Sequence, residues 1–175
     1  VLASLNPPAS DDALAETERL IGRPLPDDVR AAYRRHDGQA FNNGLFDGWD
    51  WLSLEGVRRE WTVWKDLLDG GTFDGIENDA GGRDVVQDWW NPGWVPVTAS
   101  GSGDNHCVDL APGRRGKVGQ VITMCHDYGA RPVLAHSFQD WLADFADELE
   151  AGIYTVSDEY SGLVHRRNLP APGKG

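Results

Sequence analysis

Basic residues are scarce in this chain of 175 residues: 16 Lys and Arg stand against 28 Asp and Glu, a formal net charge of −12. A surface of that sign repels nucleic acid and anionic membrane, so neither is expected as a direct ligand. Cysteine is rarer still. Two in a chain of this size cannot make a disulfide framework, and no Asn-x-Ser/Thr sequon occurs. No apolar run reaches the length of a membrane span, and the first residues lack the pattern of a signal peptide. Together these absences point to a reducing, cytoplasmic setting. What the chain does have is tryptophan, eight in all, six of them between Trp49 and Trp90. Such clustering suits a small core built from large pieces or an exposed recognition face.

A hydrophobic fraction of 40% is enough for one core. Ser10 reads as an N-cap, followed by Asp11, Asp12 and an apolar face of Ala13, Leu14, Thr17, Leu20 and Ile21 that ends at Gly22. In the next helix Pro26 fits the first turn and Asp27 and Asp28 face the positive dipole end. Leu25, Val29, Ala32 and Tyr33 make its stripe, and Gly38 stops it. After a loop and a short strand over 49–54, Ser53 caps a helix with Val57, Trp61, Trp64 and Leu68 on one face. Residues 72–84 read as a solvated acidic loop, and 85–90 as a helical turn.

From Trp94 the period shortens. Val95 and Val97, Cys107–Leu110, Val118–Met124 and Pro132–Ala135 are short β-branched runs between Gly, Pro and Asn clusters, which predicts a small antiparallel sheet. Ser137 then caps a last helix striped by Phe138, Trp141, Leu142, Phe145 and Leu149. Tyr154–His165 reads as a further strand. The expectation is therefore a single α+β domain with a mostly antiparallel central sheet flanked by helices. It covers residues 10–154, preceded by an extension over 1–9 and followed by a C-terminal strand and flexible tail over 155–175. Helices are expected over 11–21, 27–36, 54–68 and 138–151.

A hairpin turning around Arg114-Arg115-Gly116 predicts Cys107 opposite Cys125 and His106 opposite His126, with cysteines on one face and histidines on the other. That arrangement defeats a four-ligand zinc site. It leaves His106 and His126, with Asp104 or Asp127, as a conceivable metal or acid–base set. The preferred reading is two reduced cysteines buried as small hydrophobes, with no metal and no cofactor. Ser100-Gly-Ser-Gly-Asp104 lacks the residues of a nucleophile elbow or a phosphate loop and reads as a turn in which Asp104 accepts backbone N–H bonds.

Four pieces in order carry a resemblance. They are Gly22–Gly38; Trp94-Val-Pro-Val leading to Gly103-Asp104 and Cys107-Val-Asp-Leu; Gly119-Gln-Val-Ile with His126-Asp127; and Ala135-His-Ser-Phe138. Together they resemble the SUKH superfamily. Its members include yeast cell-wall assembly regulators and bacterial proteins that neutralise toxins encoded beside them. The resemblance implies a mixed α+β domain, no catalysis and a protein ligand. The Trp49–Trp90 segment and the chain after Tyr154 fall outside it. The function expected is that of an immunity protein occluding a basic toxin domain encoded nearby. A regulatory scaffold like the yeast members and a metal-assisted hydrolase using His106, His126 and Asp104 are the alternatives. Trp49, Trp51, Trp61 and Trp64 are the expected aromatic anchors, and Asp74, Glu77, Asp79, Asp84 and Asp104 the acids that grip a basic partner.

Overall fold

The computed structural model describes residues 4–40, 44–76, 82–157 and 162–169. Four helices form where the capping pattern puts them: α1 Asp11–Ile21, α2 Asp27–Arg35, α3 Leu54–Asp69 and α4 Phe138–Glu150. Ser10, Ser53 and Ser137 each accept a backbone N–H three residues on, at 3.1, 3.1 and 3.0 Å. Helix α2 has Pro26 at its cap position and no side-chain cap. Asp28 instead accepts from Val29 and, through its other oxygen, from the amide of Gln139 at the start of α4. Gly38 serves a purpose other than stopping α2. With φ +67°, it lets the backbone pass so close to Leu52 that a Cβ would sit 2.4 Å from the Leu52 carbonyl.

The central sheet has four antiparallel strands in the order β2 (Trp94–Pro96), β4 (Asn105–Asp109), β5 (Gln120–Met124), β6 (Val133–Ala135). Both faces are covered. On one, Trp64 of α3 donates to Asn105, and α1 packs on α3. On the other, His106 meets the edge of Trp141 of α4, and α2 packs on α4. Val108, Val121, Ile122, Met124, Trp94 and Phe138 are fully buried between these layers. No helix among the described residues is long and apolar enough to cross a membrane.

Four expectations are corrected here. The strand expected over 49–54 is only β1, Asp50–Trp51, paired with β3, Thr98–Ala99. In place of one strand over 154–165 there are two, β7 (Tyr154–Ser157) paired antiparallel with β8 (Gly162–His165). Residues 85–90 are not helical. The carbonyls of Arg83 and Asp84 point instead to the amides of Arg115 and Gly113, at 2.9 and 3.0 Å. The β4–β5 register also differs, by three residues. Cys107 stands opposite Ile122 and His106 opposite Thr123. The cause is the Asp109–Gln120 pair that closes the loop. Asp109 accepts from Ala111 N at 2.9 Å and from Gln120 Nε2 at 2.8 Å, and Gly119 N donates to the Asp109 carbonyl at 2.8 Å. An odd shift sends the two cysteines to opposite faces. Cys107 is buried as expected, but Cys125 lies beyond β5 and is half-buried.

Candidate protein-binding surface

Three of the four expected tryptophan anchors are core residues. Trp51, Trp61 and Trp64 are 6%, 5% and 7% exposed. The indole N–H of Trp61 donates to the Pro92 carbonyl at 2.9 Å, and that of Trp64 to Asn105 at 3.1 Å. Trp49 alone keeps part of its surface, stacked on His106 with centroids 4.2 Å apart. Of the expected acids, Asp74 and Asp84 are exposed, on the turn after α3 and against the 113–116 turn. Glu77 and Asp79 lie outside the described residues.

Asp104 is half-buried and accepts from the His126 amide at 2.9 Å and from the His126 ring Nδ1 at 2.8 Å. Burial alone would raise its carboxyl. The hydrogen bonds from His126 and from the Cys125 thiol bring it below the ordinary value. The hydrogen bond to Asp104 raises the His126 imidazole, against desolvation, with help from the Asp127 charge. His106 is elsewhere. It lies between Trp49 and Trp141, its Nδ1 has no partner among the described residues, and burial pushes its pKa down to about 4. The imidazole pair on which a hydrolase reading depends is therefore not assembled.

The groove beside His106 was not expected from sequence. It has a volume of about 400 Å³ and is walled by Phe46, His106, Trp141, Phe145 and Tyr154, with Asp47, Asp144, Glu148 and Arg167 also lining it. The rings interlock: Phe46 stands 4.3 Å from Trp141 and 4.8 Å from Phe145, and Phe145 5.1 Å from Tyr154. Helix α4 brings Trp141, Asp144, Phe145 and Glu148 to this groove, and only its first residue, Phe138, is fully buried. Trp141, Leu142 and Phe145 are half-covered, and Leu149 is 38% exposed. Along the same helix run Asp140, Asp144, Asp147, Glu148 and Glu150, with no Lys or Arg. The acid content was visible in the sequence; that the stripe beside it is only half-covered was not. A larger hollow of about 780 Å³ between α1 and α3 mixes Glu16 and Glu55 with Arg19, Arg58 and Arg59 and has no aromatic wall. Of these two hollows, the one beside α4 combines acidic charge with aromatic anchors.

Comparison with known proteins bears on what such a surface is for. Residues 8–144 match the SMI1 / KNR4 family (SUKH-1). Relatives include the cell wall assembly regulator SMI1 of Saccharomyces cerevisiae, 25% identical over 193 aligned positions covering 90% of this chain and 38% of that protein. The cell wall biosynthesis/cell cycle regulator smi1 of Schizosaccharomyces pombe is 31% identical, with 79% and 30% covered. The glucan synthesis regulatory protein of Neurospora crassa is 27% identical, with 87% and 36% covered. The chain thus spans between a quarter and two-fifths of the length of these regulators. With the family pattern running from the approach to α1 into α4, the chain belongs to the SMI1/KNR4 (SUKH-1) family.

Proposed function

We propose that this domain is a non-catalytic regulatory scaffold that binds a protein partner, as the alternative drawn from its sequence has it. A basic, partly apolar segment of that partner would lie in the groove between α4 and β7. One observation carries the reading: α4 presents a half-covered aromatic stripe flanked by five acids. Acids of one sign steer a basic partner and set its on-rate, while rigid aromatics hold it and set its off-rate. A Lys or Arg over Trp141 or Phe145 gains a cation–π contact as well. Trp49 backs the groove through His106. Asp74, Glu77, Asp79, Asp84 and Asp104 would add long-range attraction. Two free cysteines support an interaction in a reducing compartment, the cytoplasm.

The regulator reading stands first because the fungal relatives are named as regulators. A basic toxin domain would fit the same charge, and tight binding of such a product from a neighbouring gene would put the immunity reading first instead.

The test is a binding assay with a cross-linked and purified partner at two salt concentrations. Asp144→Asn with Glu148→Gln should slow association and flatten its salt dependence. Phe145→Ala should speed dissociation and cost about 2 kcal/mol of affinity. If these changes leave binding untouched while neutralising Asp74 and Asp84 weakens it, the groove is not the interface.

A further inference from the structure

We propose that Asp104, Cys125 and His126 form a site for one zinc ion, or a similar borderline divalent metal, at the open end of the β4–β5 ladder. None of the three lines the aromatic groove. The register expected from sequence grouped Asp104 and His126 with His106; the observed one groups them with Cys125 instead. With Asn105 paired to Met124, one further step along the ladder puts Asp104 across from Cys125, and His126 follows. A ligand atom from each of the three lies within 4.8 Å of the other two. Zinc holds N, O and S ligands at ~2.0–2.3 Å, which at tetrahedral angles sets them roughly 3.3–3.8 Å apart. Side-chain shifts of about an ångström therefore close the site.

The donor set matches the ion. Thiolate, imidazole and carboxylate are the three protein ligands zinc takes, and two negative charges balance its two positive ones. The surroundings also match. His126 turns Nδ1 toward Asp104 while its Nε2 lies 3.1 Å from Asp127 Oδ1, the carboxylate–imidazole relay that fixes the tautomer of a metal-bound histidine. The amides of Asp127 and Tyr128 donate to the Cys125 sulfur and help hold it in place. Gly103 packs against the imidazole so closely that a Cβ there would stand 3.3 Å from Cγ and Nδ1. Three protein ligands leave a fourth position for water or for a partner's side chain.

Untagged protein, stripped with chelator, should bind one equivalent of cobalt(II). Binding should show a thiolate-to-metal charge-transfer band and four-coordinate d–d bands, both displaced by zinc. Cys125→Ser should abolish the charge-transfer band and weaken zinc binding by about 100-fold or more, and Asp127→Asn should weaken it by about 10–100-fold with the band intact. Cys107→Ala should leave both unchanged. On the wild-type protein, zinc should protect Cys125 from alkylation, a readout that needs no variant to fold. Absence of the charge-transfer band at stoichiometric cobalt, equal zinc affinity in folded Cys125→Ser, or no protection of Cys125 overturns the proposal. The three groups are then only a hydrogen-bonded latch between strand ends.

Discussion

Replacing Gly116 with Ala should be among the most damaging single-methyl changes in this domain. A Cβ at that position would lie 2.0 Å from the Asp84 carbonyl oxygen, 2.8 Å from Pro112 Cβ and 2.9 Å from Gln120 Nε2. The first of these is backbone and cannot rotate away, so the 83–85 segment must lift off the turn. Lifting it breaks Gly113 N to Asp84 O, Arg115 N to Arg83 O and Gln120 Nε2 to Asp84 O. Three bonds at ~1 kcal/mol each, with ~1–2 kcal/mol for partly uncovering Val85, come to about 4–5 kcal/mol. For a domain of this size that is a fall in Tm of about 8–20 °C. The assay is urea and thermal unfolding beside two controls. Gly101→Ala, at φ +82° with nothing within 4 Å, carries only the left-handed backbone cost of roughly 1–2 kcal/mol. Asp84→Asn should be nearly silent, because the docking uses the Asp84 carbonyl and not its carboxylate. A Gly116→Ala protein no less stable than Gly101→Ala would refute the reasoning.

Asn105→Ala should cost about 2–4 kcal/mol in urea unfolding, because it strips the Trp64 N–H and the Thr98 carbonyl of a buried partner. A loss under 1 kcal/mol would show that water replaces the amide. Arg131 places its guanidinium 5.5 and 5.6 Å from the rings of Trp89 and Trp94 and donates to the carbonyls of Trp89, Tyr128 and Ala130. Lysine cannot span that fork, so Arg131→Lys should lose about 2–3 kcal/mol by the same assay. His106, held neutral with a pKa of about 4 against an ordinary 6.5, contributes stability that is present above pH 6.5 and lost as pH falls to 4, up to about 3 kcal/mol. His106→Phe should remove that part of the slope when midpoints at pH 7, 5.5 and 4.5 are compared in the presence of chelator.

The helices were legible because their signals are local. Ser10, Ser53 and Ser137 each lie next to the amides they cap, and the apolar stripes repeat within one element. The family, too, could be read from short ordered pieces. The register of β4 and β5 could not, because it is set from outside the hairpin. Ten residues between Asp109 and Gln120 fold back onto residues 83–85, and no periodicity in the strands encodes that docking. The register decides the chemistry as well: it gives His126 the neighbours Asp104 and Cys125, and not His106. The tryptophans misled for another reason. A stripe such as Val57, Trp61 and Trp64 shows that one helix face is apolar, and not whether this chain or another covers it. In α3 the chain itself covers the face; in α4 it does so only in part.

Helix α4 is also electrostatically at odds with itself. Asp140, Asp144 and Glu148 follow one another at i, i+4 spacing, where like charges repel, and Asp147, Glu148 and Glu150 crowd the last turn, where the dipole favours cations. A helix selected only for stability would place a base there. A basic partner would relieve both terms on binding, so stability and affinity should move in opposite directions. Asp147→Lys with Glu150→Lys changes two exposed residues outside the aromatic wall. Each exchange places a cation in the last turn and should stabilise the free domain, by about 1 kcal/mol together. The same pair should weaken partner binding and slow its association. Unfolding midpoints and association rates measured on one protein preparation test this together. If the variant is stabilised and binds its partner as fast as before, the acids of α4 belong to the surface alone. If it is destabilised, the repulsion inferred along α4 is not there.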